Sequence, residues 1–227
     1  MTTPTQLLAS IQTALQGVVA AGLGPTTPMH DLYEVYVLSL LVRAAQAEQA
    51  IVTYEDCTGQ ATTSLVFPTG PRFLTTSTQL FTHAVLQFPG GAPALEAHVG
   101  LYVLGTSGCH HELDVVVIDR GGAQLLRASG HAKALPSSQS VSLFSECKFY
   151  STPVGLLLAR AYWGLQAEYW TRDSFFVLNS DQPSVRRYLI SRRNGRNYQP
   201  DVVPSVAAGE ARLMGLFQEM FKVHRMS

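Results

Sequence analysis

The sequence contains few cysteines. Only three of its 227 residues are cysteine, namely Cys57, Cys109 and Cys147. Because the number is odd and the three do not have paired spacing, the pattern argues against a disulfide framework and against a four-cysteine metal site. We therefore expect the protein to work in a reducing compartment, with the cytoplasm as its location.

Long hydrophobic runs and a net charge are also missing. No apolar run approaches the ~18 residues that a membrane-spanning helix needs, and the N-terminal residues lack the basic flank and apolar core of a signal peptide. We therefore expect no membrane association. The chain has 16 basic residues (lysine and arginine) and 16 acidic residues (aspartate and glutamate), so its formal charge is zero. The composition therefore does not indicate a polyanionic partner.

The apolar fraction is high enough for one large domain. Hydrophobic residues make up 46% of the chain, and neither an internal repeat nor a low-complexity tract divides it. We therefore predict a single domain over residues 1–227, with an N-terminal helix in 1–24, a β-rich elaboration in 51–93 and a core in 95–195. The β-rich segment is expected to carry substrate choice or an interface.

Two N-terminal segments place apolar side chains at a helical period. Residues 4–21 form the first predicted helix, whose apolar positions are Leu7, Leu8, Ile11, Leu15, Val18 and Val19. The second helix is predicted to begin at Asp31, a residue type suited to an N-cap, and to continue through LYEVYVLSLLVRAAQAEQA. Glu34 lies beside apolar side chains near the start of this mostly buried helix, which is an unusual position for a carboxylate that only meets solvent.

Strands and helices alternate in the rest of the chain. LEAHVGLYVLG and HELDVVVID predict the two strands of a hairpin, and SVSLFSECKFY predicts a third strand. VGLLLARAYWGLQAEYW then predicts a helix, SFFVLNS a strand, PSVRRYLISRR a helix that opens with proline, and AAGEARLMGLFQEMFKVHRM a closing helix. The sequence therefore predicts an α/β fold in which helices flank a central mixed β-sheet.

Asp114 lies in the middle of a strongly apolar strand. Strict alternation along HELDVVVID places Asp114 on the same face as Val116 and Ile118, with Leu113 on the opposite face. An unpaired buried charge is costly, so Asp114 needs a cation beside it. Glu112 shares the predicted face and is either an outer ligand or an exposed strand end.

Glu146 and Lys148 flank Cys147 in the strand SLFSECKFY. Residues i and i+2 share a face, so the glutamate and the lysine stand side by side, and Cys147 points the other way, into the core. A plain ion pair between Lys148 and Asp114 would leave Glu146 and Glu34 without a role. The alternative is Mg²⁺ or Mn²⁺ bound by Asp114 and Glu146, with Glu34 as a third candidate ligand. Lys148 would then orient or deprotonate a water, or stabilise charge on a phosphate, at a site for phosphodiester hydrolysis.

The order of these motifs resembles that of the PD-(D/E)xK nuclease superfamily. DLYEVYVLSLLVRAA is similar to the first core helix of the Holliday-junction-resolvase and methyl-directed restriction branches, and FFVLNSDQPSVRRYLISRR is similar to a later strand and helix. The resemblance covers roughly residues 30–50 and 95–195, and Leu113 replaces the proline of the family name. The stretch between Asp114 and Glu146 is longer than in compact versions of the fold, which indicates either an insertion or a wrong pairing of the two motifs.

The resemblance implies a fold, an activity and a set of site residues. The fold would have a restriction-endonuclease-like core, a central mixed β-sheet flanked by helices, with an inserted β-rich segment. The activity would be that of a Mg²⁺-dependent nuclease, namely a DNA endonuclease of restriction, defence or repair type. The implied catalytic residues are Asp114, Glu146, Lys148 and Glu34, and the implied metal ligands are Asp114, Glu146 and Glu34.

Two other interpretations are open. A catalytically inactive member of the fold would act as a nucleic-acid-binding or scaffold subunit, and an unrelated α/β protein would use the same residues as core ion pairs. Because the net charge is zero and no DNA-targeting module accompanies the site, we expect a homodimer or a larger complex to deliver the DNA.

Other ligand-type side chains have less specific patterns. Glu96 and His98 alternate with apolar residues and could share the Asp114 face, although an exposed edge-strand pair is favoured. Cys109, His110 and His111 are adjacent and cannot easily converge on one tetrahedral ion, so a turn is favoured over a zinc site.

Two further stretches could contact nucleic acid. RRNGRN, residues 192–197, would either bind a phosphate backbone through its arginines or form a surface turn. AYWGLQAEYW, residues 161–170, contains both tryptophans, and its helical spacing favours packing in the core or at an interface over stacking on bases.

Overall fold

The computed structural model describes residues 2–15, 20–75, 80–152, 154–169 and 171–226. The helices in these ranges are α1 (Pro4–Ala14), α2 (Met29–Ala47), α3 (Arg120–Ala128), α4 (Leu156–Ala167), α5 (Pro183–Ser191) and α6 (Ala207–Arg225). The strands are β1 (Ala20–Ala21), β2 (Ile51–Asp56), β3 (Leu65–Val66), β4 (Thr82–Gln87), β5 (Leu95–Leu104), β6 (His110–Asp119), β7 (Val141–Lys148), β8 (Asp173–Leu178) and β9 (Tyr198–Gln199).

Seven strands form one mixed sheet in the order β2-β4-β5-β6-β7-β8-β9. Neighbours from β2 to β7 pair in antiparallel fashion, whereas β8 and β9 continue from β7 in parallel. Side chains of α1, α2 and α6 pack on one face of the sheet, and those of α3, α4 and α5 pack on the other. The predicted α/β class, with a mixed sheet between helices, is confirmed.

The first helix is shorter than predicted. α1 ends at Ala14 instead of residue 21, and Ala20–Ala21 form β1, which pairs with β3 outside the main sheet. The predicted helical or aromatic positions that lie outside the described residues are Val18, Val19 and Trp170. In the described ranges, none of the helices has the length and apolarity needed to span a membrane.

α2 is the central helix of its layer because nearly its whole length is buried. It packs against the sheet, α1 and α6, and Tyr33 Oη donates a hydrogen bond of 3.0 Å to the carbonyl of Val202. The helix begins at Met29 with Pro28 as its N-cap, so the predicted cap role of Asp31 is wrong. Asp31 instead lies in the first turn, where the helix dipole favours a carboxylate.

The β-rich segment 51–93 widens the sheet. β2 pairs with β4, and β4 pairs with β5, so β5 is an interior strand between β4 and β6. Between β3 and β4, the Arg72 N–H donates to the Gly100 carbonyl at 2.7 Å, and the Arg72 carbonyl accepts from the Tyr102 N–H at 2.8 Å. This part of the segment therefore runs beside the end of the β5–β6 hairpin.

In the β5–β6 hairpin, the alternation of side chains between the two faces of the sheet is broken at one paired position. Val99 packs in the core that contains α2, whereas Leu101 packs in the opposite core. Their pairing partners on β6, Val115 and Leu113, are divided in the same way. Between Val99 and Leu101, Gly100 adopts φ = +60°, a left-handed conformation that favours glycine. The alternation is thus interrupted in both strands.

Asp114 lies at this interruption. Strict alternation predicted that Leu113 would face away from Val116 and Ile118, but all three pack in the same core, so this prediction is wrong. Asp114 lies between Leu113 and Val115, whose side chains pack in opposite cores, and its carboxylate contacts the end of β7.

Candidate active site

Three of the predicted site residues meet where β6 and β7 run side by side. Lys148, the last residue of β7, places its Nζ 2.9 Å from Asp114 Oδ2 and 2.7 Å from Glu146 Oε1. The ammonium group therefore bridges two carboxylates that come from neighbouring strands.

Asp114 is held from two directions. The residue is 6% exposed, and its Oδ2 accepts a hydrogen bond of 2.7 Å from the Cys147 N–H in addition to the contact with Lys148. The Cys147 side chain packs into the core that contains α2, as expected for a small core residue. The orientation of the Asp114 carboxylate is thus fixed by the chain itself.

Two open clefts meet at Asp114 and Lys148. One cleft, of about 390 Å³, lies towards the start of α2 and is lined by Glu34. The other, of about 670 Å³, lies towards α4 and is lined by Glu146. Glu112 borders both clefts. Glu34 and Glu146 therefore approach the Asp114–Lys148 pair from different sides.

Negative charge at the site exceeds what Lys148 can balance. Burial, followed by the nearby Asp114 carboxylate, raises the pKa of Glu34 to about 9, although Lys148 acts in the opposite direction. The same two causes raise the pKa of Glu146 to about 7 and that of Glu112 above its ordinary value. Burial lowers the pKa of Lys148, but Asp114 and Glu146 raise it by more, so it lies well above its ordinary value.

The donor set suits a hard divalent cation. Asp114, Glu146 and Glu34 offer carboxylate oxygens, which Mg²⁺ and Mn²⁺ prefer over nitrogen or sulfur. The raised pKa values of Glu34 and Glu146 indicate that an added cation would relieve repulsion between carboxylates. Among the described residues, however, the ligand atoms of Asp114, Glu146 and Glu34 do not form a group of three within 4.8 Å of one another. The residues therefore fit an ion such as Mg²⁺ or Mn²⁺ that takes only one or two protein carboxylates.

Glu96 and His98 belong to a second ionic cluster. They are 0% and 1% exposed because β5 is an interior strand, so the favoured prediction of an exposed edge-strand pair is wrong. Arg127 of α3 donates from Nη1 to Glu96 Oε1 and from Nη2 to Glu96 Oε2, both at 2.7 Å. His98 Nε2 lies 3.1 Å from Glu96 Oε2. His83 of β4 stacks on His98 with ring centroids 4.6 Å apart.

Sequence reasoning missed His83 and Arg127. The only local signal was a histidine inside the apolar strand THAVLQ, and nothing in RGGAQLLRA indicates which strand its second arginine reaches. Both residues are brought to Glu96 by contacts between elements that are distant in sequence, because β4 pairs with β5 and α3 packs over them.

The second cluster gathers metal-ligand atoms closely but already contains a cation. Among the described residues, His83, Glu96 and His98 are the group of three whose ligand atoms lie within 4.8 Å of one another. Arg127, however, pairs with both oxygens of Glu96. Moreover, His83 Nδ1 and His98 Nδ1 are buried with no hydrogen-bond partner in the described part of the chain. Metal bound at Nε2 would leave an unsatisfied N–H at each Nδ1, which disfavours an ion here.

The residues 109–111 do not form a ligand group. Cys109 is exposed in the hairpin turn, where its carbonyl accepts a hydrogen bond of 2.8 Å from the Gly105 N–H. His110 and His111 are the first two residues of β6. The turn that the sequence favoured over a zinc site is therefore present at Cys109.

The RRNGRN segment lies far from Asp114. Arg196 pairs with Asp173 and Glu219 at 3.1 and 2.9 Å. Asp173 begins β8, whereas Lys148 pairs with Leu178 at the other end of that strand. The segment therefore cannot hold a phosphate at this site.

The aromatic run AYWGLQAEYW and Asn179, the residue after β8, have structural roles. Tyr162 and Tyr169 pack on Phe144 in the core, as the helical spacing favoured. Asn179 accepts a hydrogen bond from the Tyr150 N–H at 3.0 Å and donates one to the Tyr150 carbonyl at 2.9 Å. These two bonds fix the backbone shortly after it leaves Lys148.

The chain matches no known protein family, no curated protein and no solved structure. Its function must therefore be inferred from the geometry and charge of the site.

Proposed function

We propose that this protein is a Mg²⁺- or Mn²⁺-dependent nuclease with a restriction-endonuclease-like core, and that it hydrolyses phosphodiester bonds of DNA. The observation that carries the proposal is the bridge of Lys148 between Asp114 and Glu146, at the meeting point of two open clefts. The choice of DNA, and a role in restriction, defence or repair, follow from the resemblance to PD-(D/E)xK nucleases.

The order of elements supports this assignment. α2 carries Glu34, β6 carries Asp114, β7 carries Glu146 and Lys148, and α4 and β8 follow. This is the order in which the resemblance places the motifs. The extra length between Asp114 and Glu146 is occupied by α3 and the segment after it, while β6 and β7 remain direct neighbours.

Asp114 and Glu146 are the proposed metal ligands, and Glu34 of α2 approaches Asp114 from the other cleft as the third candidate. Mg²⁺ usually takes only one or two protein carboxylates and completes its shell with waters and phosphate oxygens, so the three carboxylates need not converge on one point. When bound, the ion would polarise the phosphate and make a bound water more acidic.

For Lys148, the geometry favours charge stabilisation over proton abstraction. Two carboxylates raise its pKa, so the amine stays protonated at neutral pH and is a poor base. A protonated amine beside the clefts can donate hydrogen bonds to a phosphate oxygen. It would offset the charge that develops as water attacks phosphorus and the bond to the leaving oxygen breaks.

Cleavage assays on linear duplex, single-stranded and branched DNA, with RNA as a comparison, test the proposal. We expect Mg²⁺- or Mn²⁺-dependent products from the wild type, and a cleavage rate at least about 10²–10³-fold lower for Lys148→Ala. Asp114→Asn should be similarly impaired. Lys222→Ala, which removes an exposed lysine of α6, is the matched control and should cleave normally.

Undiminished cleavage by both Lys148→Ala and Asp114→Asn would overturn the proposal. A wild-type protein that binds DNA without cleaving it would favour the inactive-subunit interpretation. A protein that neither cleaves nor responds to metal would favour simple core ion pairs. The same preparations report the oligomeric state, for which we keep the expectation of a homodimer or a larger complex.

A further inference from the structure

Four side chains beside the candidate site form a surface that the proposed chemistry does not use. They are Phe73, Tyr102, His110 and Lys133, which we call the aromatic surface. The ring centroids of Tyr102 and His110 are 4.9 Å apart, and those of Phe73 and Tyr102 are 5.2 Å apart. Lys133 Nζ lies 5.6 Å from the centroid of the Phe73 ring. Phe73 and Tyr102 are half-buried, and His110 and Lys133 are exposed.

The aromatic surface is continuous with the site along β6. His110 lies two residues before Glu112, and Tyr102 is the cross-strand partner of Glu112, so the three side chains share one face. Two residues of a strand span about 7 Å, which corresponds to about two nucleotide steps of a stacked strand. His110 also lines the cleft that contains Glu146 and Lys148. A polynucleotide with a phosphate at Lys148 would therefore meet this surface a few nucleotides away.

Phe73 is positioned by the inserted β-rich segment. The backbone of Arg72, the preceding residue, forms hydrogen bonds with Gly100 and Tyr102 of β5. Because these bonds fix the backbone next to Phe73, the ring is held against the hairpin. The segment 51–93 therefore contributes a residue to the surroundings of the site, as its expected role in substrate choice requires.

The charge of the site explains why a nuclease would need such a surface. Glu112, Asp114 and Glu146 are acidic groups around the site, and Lys148 is already engaged with two of them. Affinity for nucleic acid must therefore come from neighbouring groups. Aromatic rings supply it by stacking on bases, which tolerates any base sequence, and a lysine adds positive charge.

We propose that the aromatic surface stacks on unpaired bases, so that the protein prefers single-stranded or locally unpaired DNA over continuous duplex. The inference rests on the proposed function. Inside a duplex, both faces of a base are covered by its neighbours, whereas an unpaired base exposes a face to a protein ring. The half-buried rings of Phe73 and Tyr102 and the exposed ring of His110 are suited to that contact.

The test measures binding separately from cleavage. Fluorescence anisotropy in EDTA, where a metal-dependent enzyme cannot cleave, compares a labelled single-stranded oligonucleotide with a blunt duplex of the same sequence. We expect Phe73→Leu to raise the Kd for the single strand about 5- to 100-fold and to leave the Kd for duplex unchanged. His110→Ala, which alters an exposed side chain, should shift the Kd in the same direction without risk to folding. Tyr188→Leu is the matched control, because Tyr188 is also half-buried and lies 5.5 Å from the guanidinium of Arg192.

The inference is overturned if Phe73→Leu and His110→Ala leave single-strand binding unchanged, or if they weaken single-strand and duplex binding equally. Cleavage assays with metal distinguish its failure from failure of the proposed function. Wild-type cleavage with an unaltered substrate ranking in Phe73→Leu would overturn the inference alone. Absence of cleavage by the wild type, with single-strand binding that depends on Phe73, would overturn the nuclease proposal and support the stacking role.

Discussion

The clusters around Glu96 and Asp114 lie on one sheet, but in the described part of the chain Glu96 has an arginine to itself, whereas Asp114 and Glu146 share one lysine. Glu96 is fully buried, and each of its oxygens accepts a hydrogen bond from Arg127. Burial alone would raise the pKa of Glu96, yet hydrogen bonds from the two histidines and Arg127 hold it far below its ordinary value. Burial lowers the pKa of His98 to about 4, so its ring is neutral near pH 7.

The carboxyl groups around Asp114 shift in the opposite direction. The pKa values of Glu34, Glu112 and Glu146 are all raised, first by burial and then by repulsion from Asp114. The clefts leave space for a cation beside them. The direction of the pKa shift, and not the closeness of ligand atoms, therefore separates a carboxylate that is already paired with a cation from carboxylates that still repel one another.

The largest expected effect on stability should appear in the Glu96 cluster. Arg127→Met leaves Glu96 buried without its cation, which should lower the free energy of unfolding by about 3–5 kcal/mol in urea denaturation. The double variant Arg127→Met/Glu96→Gln removes both charges and should recover most of that loss. As a control, Arg186→Met breaks a partly exposed pair with Asp181 and should cost at most about 1 kcal/mol. Equal losses in Arg127→Met and Arg186→Met would contradict the comparison.

Stabilisation by metal should depend on the Asp114 cluster and not on the Glu96 cluster. Because Mn²⁺ would bind only to the folded state, it should stabilise the wild type by about 2.7 kcal/mol at a free concentration of about 100 Kd. Thermal unfolding, with each variant compared to its own metal-free state, should show this gain lost in Asp114→Asn and kept in His98→Gln. A gain from Mn²⁺ or Zn²⁺ that depends on His98 instead would place the metal in the Glu96 cluster.

Local sequence patterns were sufficient for most of the elements that carry the candidate site and for the contact between Glu146 and Lys148. Helical and strand periods predicted α2, β6, β7 and α4, and the i, i+2 spacing predicted that Glu146 and Lys148 share a face. The apolar surroundings of Asp114 also identified it as an acid that needs a partner, which the structure provides in Lys148. These inferences depend only on residues within one element or on one pair of neighbouring strands.

The remaining features depend on contacts between distant elements. The burial of Glu96 and His98 follows from the pairing of β4 with β5, which a pattern within β5 cannot indicate. The redirection at Asp114 depends on the conformation of Gly100 on the opposite strand, although a glycine inside a strand pattern is a signal for such an irregularity. Likewise, the distance of RRNGRN from the site is set by the parallel register of β7 and β8.

The smallest expected effect is the change in stability of the metal-free protein for each pH unit. Glu34 titrates near 9 in the folded chain and near its ordinary value of 4.5 when unfolded, so the folded state holds a proton that the unfolded state has released. The free energy of unfolding in EDTA should therefore fall as pH rises between these values, by at most about 1.4 kcal/mol per pH unit for one proton. At pH 7 Glu146 is about half titrated, so Glu34 carries a growing share of this slope as the pH rises further.

Glu34→Gln should accordingly flatten the fall in stability between pH 7 and 9, as followed by urea denaturation in EDTA. Saturating Mg²⁺ should flatten it in the wild type, because a bound cation favours the ionised carboxylates and makes metal affinity increase with pH. The variant Glu48→Gln, which removes a carboxylate paired with Arg225 away from the clefts, should retain the wild-type slope. A slope that survives Glu34→Gln would contradict the assignment of this proton to Glu34 and would place it on another carboxyl group with a raised pKa, Glu112 or Glu146.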